Sequence, residues 1–355
     1  MKHKNIKKVL STLLTLFVFA FLGTLLFKPK PITVSSESYK LGTIIKITAY
    51  GRDKAKLEKA IADAEEEISR YEDLLSVNIK TSEVSKINRY YAIKTKVSQE
   101  TLDILNYSLE MARKTDGHFD PTIAPIVTLW GIGTDHPKVP TKKEIANLLP
   151  YVNHKTIEIT SDGYVKKVLG QEIDLGAVAK GWIADKIAEE LREDDINSAI
   201  IDLGGNLFVV GRRPNMMLWR LGLQHPAEAR GKHFGIVKVS DQSVVTSGSY
   251  ERFFEKDGVR YHHIFDTKTG YPANSDLSSV TIISKSSAEA DALCTALYSM
   301  GSEKAWDFLM KHKDIKAILF SKDYKKIYIT KAAKKIFYLE DRRIELETIE
   351  EDNGK

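Results

Sequence analysis

One cysteine, Cys294, occurs in the 355 residues. A lone cysteine excludes an internal disulfide framework and any cysteine-based zinc site. No cysteine lies near the start, so a lipid-modified N-terminal cysteine is excluded too. No G-x-x-x-x-G-K-[S/T] segment occurs, and hence no P-loop to cradle a triphosphate. No H-E-x-x-H occurs, and the nine histidines do not cluster at metal spacing apart from the neighbours His262 and His263. Gly204-Gly205 with Gly211 resembles a dinucleotide loop only in glycine content, because it leads into a strand rather than a helix. There is no repeat. The formal net charge of +5 resides in the leader: residues 1–31 hold six lysines and no acid, and the other 324 residues carry 47 basic and 48 acidic groups. A body without a positive field argues against a nucleic-acid partner.

The one long uncharged run is 9–27, VLSTLLTLFVFAFLGTLLF. It is close to the roughly 20 residues that a bilayer core requires. Lys4, Lys7 and Lys8 precede it, which places the N-terminus in the cytoplasm and the body on the extracytoplasmic face. The rival reading, a cleaved signal peptide, calls for a shorter apolar core of about 7–15 residues ending at a small-x-small site. Leu25, Leu26, Phe27, Lys28 and Pro29 occupy that exit instead. The sequence therefore predicts a signal anchor over 1–31 with its span at 9–27. A linker over 32–38, stiffened by Pro29 and Pro31, is expected to follow. One domain is expected over 39–340, and a charged, solvated tail over 341–355.

The body reads as mixed α and β. Residues 39–50 are rich in β-branched and aromatic side chains and predict a strand. Apolar residues at helical spacing predict helices over 54–75 and 98–115, with Ser98 as N-cap of the second. Strand is expected over 165–174, turning into helix through Gly176 up to 191. Residues 198–211 predict a strand, glycine turn, strand hairpin. Shorter strands are expected at 219–223, 234–240, 243–246, 260–265, 279–284, 317–320 and 326–330. A helix over 286–300 starts with a Ser286-x-x-Glu289 capping box and stops at Gly301, and another covers 302–311. The order is not a regular βαβ alternation, so the fold class is α+β.

Three polar clusters carry chemistry. At 174–181, DLGAVAKG, a strand meets a helix N-terminus whose free amides suit a phosphate. Asp174 as a mere helix cap fits the same residues. On the 286–300 helix, Asp291 and Thr295 are four apart and share a face. A carboxylate and a hydroxyl are hard ligands suited to Mg²⁺, or else an ordinary solvated face. At 117–133, GHFDPTIAPIVTLWGIG, two prolines and three glycines predict a pocket-lining loop or a core connection.

Taken together, these segments resemble the ApbE family of FAD:protein FMN transferases. The resemblance runs over most of 39–331 and is carried by eight segments in order: LGT at 41–43, SEVSKIN at 82–88, GHFDPTIAPIVTLWGIG at 117–133, DLGAVAKGWIAD at 174–185, AIIDLGGNLFVVG at 199–211, TSGSYERFF at 246–254, HHIFDTKTGYP at 262–272 and SAEADALCTALYSMG at 287–301. It implies an ApbE-like mixed fold with the active site in a cleft between lobes. It further implies a Mg²⁺-dependent reaction in which FAD is split at its pyrophosphate. The FMN half passes to a threonine hydroxyl of a target protein, and AMP leaves. Targets in the family belong to membrane redox systems and carry a Ser/Asp-Gly-Ala-Ser/Thr-Thr type motif.

The same resemblance implies roles. Asp291, Thr295 and the carbonyl of Ala177 match the metal ligands. Asp174 and Lys180 match FAD-contacting positions. Leu41, His118, Phe119, Asp120 and Phe265 belong to the implied flavin site. Asn78 stands where some relatives carry an aromatic that stacks on the flavin. Cys294 stands where some carry a further Asp, and since a neutral thiol is a poor Mg²⁺ ligand, water or a backbone oxygen is expected to substitute. The acceptor hydroxyl must lose a proton, and His263 is the candidate base. Two alternatives stay open: an FAD pyrophosphatase releasing FMN and AMP, and a non-catalytic FAD-binding surface protein.

Overall fold

Among the described residues, nine strands form one sheet in which spatial order follows chain order: Ile32–Lys40, Thr43–Gly51, Ser198–Leu203, Asn206–Gly211, Gln242–Gly248, Leu277–Ser284, Lys316–Ser321, Lys326–Thr330 and Glu345–Ile349. Every neighbouring pair is antiparallel except the last, which is parallel. The structure is a computed structural model that describes residues 12, 15, 30–89 and 94–350. The membrane run expected at 9–27 lies, Thr12 and Thr15 aside, outside the described residues. Among the described residues, no helix is long and apolar enough to cross a membrane.

The sheet is covered on both faces, and consecutive strand residues go to opposite sides. Val245, Ile282 and Leu319 join the larger core with the helices Lys54–Leu75, Ala179–Glu193 and Ser287–Lys311. Their chain neighbours Val244, Ile283 and Ile318 join a second core with Trp219, Phe234 and Phe337. That second core lies under a small sheet of Trp219–Gln224, His233–Val239 and Phe337–Leu339. Burial on both faces explains why these strands carry adjacent apolar residues, Val244-Val245, Ile282-Ile283 and Ile318-Leu319, rather than a strict alternation. A third cluster, Ile126, Trp130, Ile145 and Phe265, forms a separate lobe, tied by Trp130 Nε1–H donating to the Gly270 carbonyl at 2.9 Å.

Local signals account for the helix ends. Asp53 caps the Lys54–Leu75 helix by accepting from Lys56 N, and Ser98 Oγ accepts from Thr101 N at the next long helix. Ser286 Oγ accepts from Glu289 N as expected, but the box is half made. The Glu289 carboxylate accepts instead from Ser284 Oγ (2.9 Å) and Lys114 Nζ (2.9 Å). Gly301, at φ 74° and ψ 174°, breaks the helix into the two expected pieces.

Four expectations are corrected. The stretch 32–38 is no linker: it lies within the first strand, whose amides pair with the second from Ile32 to Lys40. The tail does not float from 341 onward, because Glu345–Ile349 pairs in parallel with Lys326–Thr330 and buries Ile344 and Ile349. Two of its charges, Glu345 and Glu347, pair with Lys326 on the neighbouring strand. Strand in 165–174 is confined to Tyr164–Lys166, and the 117–133 stretch contains a short helix, Ala124–Trp130, ended by Gly131 in the left-handed region.

The helices 179–193 and 287–311 pack at Gly181. A Cβ there would lie 2.3 Å from the Ser287 carbonyl oxygen. Backbone cannot yield as a side-chain tip can, so Gly181→Ala is expected to cost about 1–3 kcal/mol or more. Denaturant unfolding would show this as a lower midpoint with an unchanged slope.

Candidate active site

The cavity opens at one end of the central sheet, between it and the lobe around Trp130. Its volume is about 390 Å³, within the range of small-molecule sites. Several segments build it, the 174–180 stretch and the 251–252 pair among them. The tight turns Gly42-Thr43 and Gly204-Gly205 contribute backbone, and the end of the 242–248 strand contributes Thr246 to Gly248. The 118–132 and 263–267 segments face them, and the 287–311 helix contributes Asp291 and Thr295. Gly204 has φ +69°, and a Cβ on it would sit 2.4 Å from Thr43 Cγ2, so only glycine lets the two turns meet.

The 287–311 helix is placed by a residue to which the sequence reading gave no role. Asp185, on the 179–193 helix, accepts from Ser287 N (2.7 Å), Ala288 N (3.0 Å) and Ser286 Oγ (2.9 Å). A carboxylate on the free first-turn amides fixes the start of that helix. Asp291 and Thr295 then follow at set rotations. Burial raises the Asp185 pKa, against these hydrogen bonds. The spacing of Asp185 on its helix carried no signal, since its partners lie about a hundred residues away.

Asp291 is buried, and its Oδ2 accepts from Gly181 N at 3.0 Å with Lys180 Nζ at 4.0 Å. Lys180 Nζ also donates to the Gly176 carbonyl at 3.3 Å. Asp174 does not cap the following helix, whose N-cap is Val178 without a side-chain bond. Its Oδ1 accepts from Gly176 N at 2.7 Å, shaping the turn that presents Gly176 and Ala177 to the cavity. Burial raises the Asp174 pKa, only partly offset by that bond and by Lys180 and Arg252.

Asp120 lines the cavity, yet its oxygens are engaged by the protein. Oδ1 accepts from Thr122 N (2.8 Å) and Thr122 Oγ1 (2.6 Å), and Oδ2 from His154 N (3.0 Å), with His154 Nδ1 at 2.8 Å. It therefore shapes the 118–122 loop. His118 and Asn206 are different. His118 Nδ1 and Asn206 Nδ2 are buried at the cavity without a hydrogen-bond partner. Native proteins rarely leave such atoms orphaned, so these two mark where a polar ligand would bind. Burial, with Lys268 and Lys304, lowers the His118 pKa.

His263 shares the cavity. Its Nδ1–H donates to the Arg252 carbonyl at 3.2 Å, since a carbonyl can only accept. Nε2 of the neutral ring is then the unprotonated nitrogen. Burial, with Arg252, Lys180 and His262 close by, lowers its pKa to about 4, so the ring is neutral at pH 7. His262 turns the other way, into the core against Tyr298, as alternation along a strand requires.

Of the residues singled out in the sequence, His118, Phe119, Asp120, Asp174, Ala177, Lys180, His263, Phe265, Asp291 and Thr295 line this one cavity. Leu41 and Asn78 are not in its lining. Leu41 is half-buried beside it at φ 54°, its N–H held by Glu72 Oε1 at 2.8 Å, and its neighbour Gly42 lines the cavity instead. Asn78 is exposed in the turn after the 54–75 helix. Cys294 also faces elsewhere: it is buried, and its Sγ donates to the Val245 carbonyl at 3.1 Å. Arg230, Glu251, Arg252 and Thr246 line the cavity and were not assigned there. Arg252 could have been suspected from TSGSYERFF, but Arg230 sits in a loop without a motif.

A family model described as "ApbE family" matches residues 41–319. The chain belongs to the ApbE family. A Klebsiella pneumoniae (strain 342) protein named "FAD:protein FMN transferase" is 36% identical over 292 residues, 81% of this chain and 89% of the relative. A Treponema pallidum protein of the same name is 35% identical over 295 residues, 78% of this chain and 82% of that one. The solved structure of the ApbE protein from Thermotoga maritima superposes with a TM-score of 0.81 at 28% identity, covering 86% of this chain and 99% of that one. The flavin transferase ApbE from Vibrio cholerae gives 0.78 at 27% identity with the same coverage. The mixed α and β class expected from sequence is the fold of these ApbE structures.

Proposed function

We propose that this ApbE protein transfers the FMN half of FAD to a threonine hydroxyl of an acceptor protein and releases AMP. One observation carries the reading: hard oxygen donors, a cation and a neutral histidine converge on one cavity that also holds two orphaned polar atoms. FAD is the substrate, and the acceptor is a redox protein presenting a Ser/Asp-Gly-Ala-Ser/Thr-Thr type motif.

The donor set fits Mg²⁺. Among the described residues no three His, Cys, Asp or Glu side chains gather at one point. The Asp291 carboxylate, the Thr295 hydroxyl and the Ala177 carbonyl therefore offer a partial oxygen set, suited to an ion that keeps substrate oxygens and water as its other ligands. Bound there, Mg²⁺ would offset charge on the pyrophosphate. The protein supplies the rest. Lys180 and Arg252 add positive charge to the same cavity, and the Gly176-Ala177 turn brings backbone close to the phosphates. His263 Nε2 takes the threonine proton as the hydroxyl oxygen attacks the phosphorus of the FMN half. The phosphorus–oxygen bond to the AMP half breaks, and AMP leaves with that oxygen.

The run 9–27 would hold the domain on the extracytoplasmic face, in the same compartment as membrane-bound acceptors. The test combines the full chain in detergent, FAD, Mg²⁺ and an acceptor domain bearing the motif, and weighs the intact acceptor. One added FMN, lost with EDTA and lost when the acceptor threonine is changed, is the expected result. Free FMN and AMP with an unmodified acceptor would replace transfer with hydrolysis. Unchanged FAD would overturn the enzymatic reading.

A further inference from the structure

A loop at the other end of the first strand is built for a different contact. Residues 212–218, RRPNMML, connect the strands Asn206–Gly211 and Trp219–Gln224. Arg213 N–H donates to the Met217 carbonyl (3.0 Å) and Met216 N–H to the Arg213 carbonyl (2.7 Å), which closes a tight turn. Arg212 Nη1 bonds the Met216 carbonyl at 3.2 Å. Met216 sits at φ 66°, a conformation non-glycine residues seldom adopt, and the turn leaves Met216 71% and Met217 56% exposed. Two adjacent methionines held in water beside two arginines carry no role in the fold or the cavity.

Their location indicates the partner. Arg213, Pro214 and Asn215 share a cavity with Pro31, Thr33 and the Tyr50–Trp219 ring pair. Pro31 is four residues beyond Phe27, the end of the apolar run. Four residues reach at most about 14 Å. The headgroup layer on one side of a bilayer is about 5–7 Å thick. If 9–27 spans the membrane, this loop has to stand at or just above the headgroups. We propose that the 212–218 loop docks on an anionic lipid surface, with Met216 and Met217 entering the interface and Arg212 and Arg213 meeting lipid phosphates. The proposal rests on the anchor reading above. It sets the orientation of the enzyme: the nine residues Ile32–Lys40 run from this foot toward the flavin cavity at Gly42, about 30 Å along the strand.

Cys294 is buried and is the sole cysteine, so one surface cysteine can be labelled selectively. The full chain carrying Met217→Cys, labelled with an environment-sensitive fluorophore, is reconstituted into phosphatidylcholine vesicles with and without phosphatidylglycerol. Tyr39→Cys, at an exposed site (75%) near the far end of the strand, serves as the ruler. Expected are a blue shift and strong quenching by nitroxide-labelled lipid at 217, greater with phosphatidylglycerol and reduced by Arg213→Glu, and neither effect at 39. Equal, lipid-insensitive emission at both positions in protein that floats with the vesicles would overturn the docking surface and leave the anchor intact. Protein that fails to float would overturn the anchor and the docking surface together. Quenching at 39 rather than 217 would invert the orientation and overturn the proposal.

Discussion

Replacing Asp291 with alanine is expected to lower flavin transfer by ~10²-fold or more, the scale on which removing one charge-stabilising group acts in such sites. Asp291 is the one acidic side chain on the 287–311 helix that lines the cavity, and Lys180 and the Gly181 amide both address it. Alanine removes the charge, the acceptor for Gly181 N–H and a ligand suited to Mg²⁺. Asp291→Asn separates these effects. The amide oxygen can still accept from Gly181 at 3.0 Å, while the charge is gone. Asp291→Asn should unfold near the parent midpoint, whereas Asp291→Ala leaves the buried Gly181 N–H without its acceptor and should lower the midpoint, at a cost of about 1–3 kcal/mol of stability. Both should also need more Mg²⁺ for whatever rate remains. Mass measurement of acceptor flavinylation across a Mg²⁺ titration decides it. Full turnover by Asp291→Ala at unchanged Mg²⁺ demand would remove this residue from the metal assignment.

Replacing His263 with glutamine is expected to cost about 10²–10⁴-fold in rate, the usual worth of a positioned general base. The pH dependence carries the sharper signature. The histidine pKa is lowered to about 4, so the proton-accepting form dominates from about pH 5 upward. The parent kcat/KM should be flat over that range on this limb and fall as pH drops toward 4. In His263→Gln the rate should be low and the acid limb absent. Stability follows the same group. An unfolded histidine titrates near 6.5, so between 6.5 and 4 the unfolded chain binds more protons than the native one. The stabilising contribution is complete above 6.5 and is lost as pH falls through this window. His262, also lowered to about 4 by burial, adds to the slope in the same direction. A His263→Gln enzyme that kept the parental rate and acid limb would show that another group takes the proton.

Much of this was written locally. The 54–75 helix and its cousin from Ser98 were legible because an apolar stripe and a cap are contained in a few consecutive residues. The hairpin of Ser198–Leu203 and Asn206–Gly211 was legible for the same reason. The pairing of Asp291 with Thr295 on one helix face follows from helical rotation alone. Segment order then gathered the cavity's residues before any geometry was known.

The rest depended on partners far away in sequence. Residues 32–38 carry too mixed a pattern to declare a strand, and became one because the Thr43–Gly51 strand offers its free edge. The charged tail became a strand because Lys326–Thr330 lacked a neighbour and two apolar residues, Ile344 and Ile349, could be buried. Asp120 looks like a ligand contact in sequence, and only the arrival of His154 from 34 residues away engaged its second oxygen. Asp185 looks like one more helix acid, and only the approach of Ser287 and Ala288 made it the anchor of the neighbouring helix. The sequence by itself determined the class and the family and singled out most of the polar side chains that line the cavity, because these reside in residue type and short-range order. Tertiary structure decided which of those groups keep an open lone pair: Asp120 has all four of its acceptor sites taken by Thr122 and His154, Asp291 only one by Gly181, and that is settled by how the chain packs.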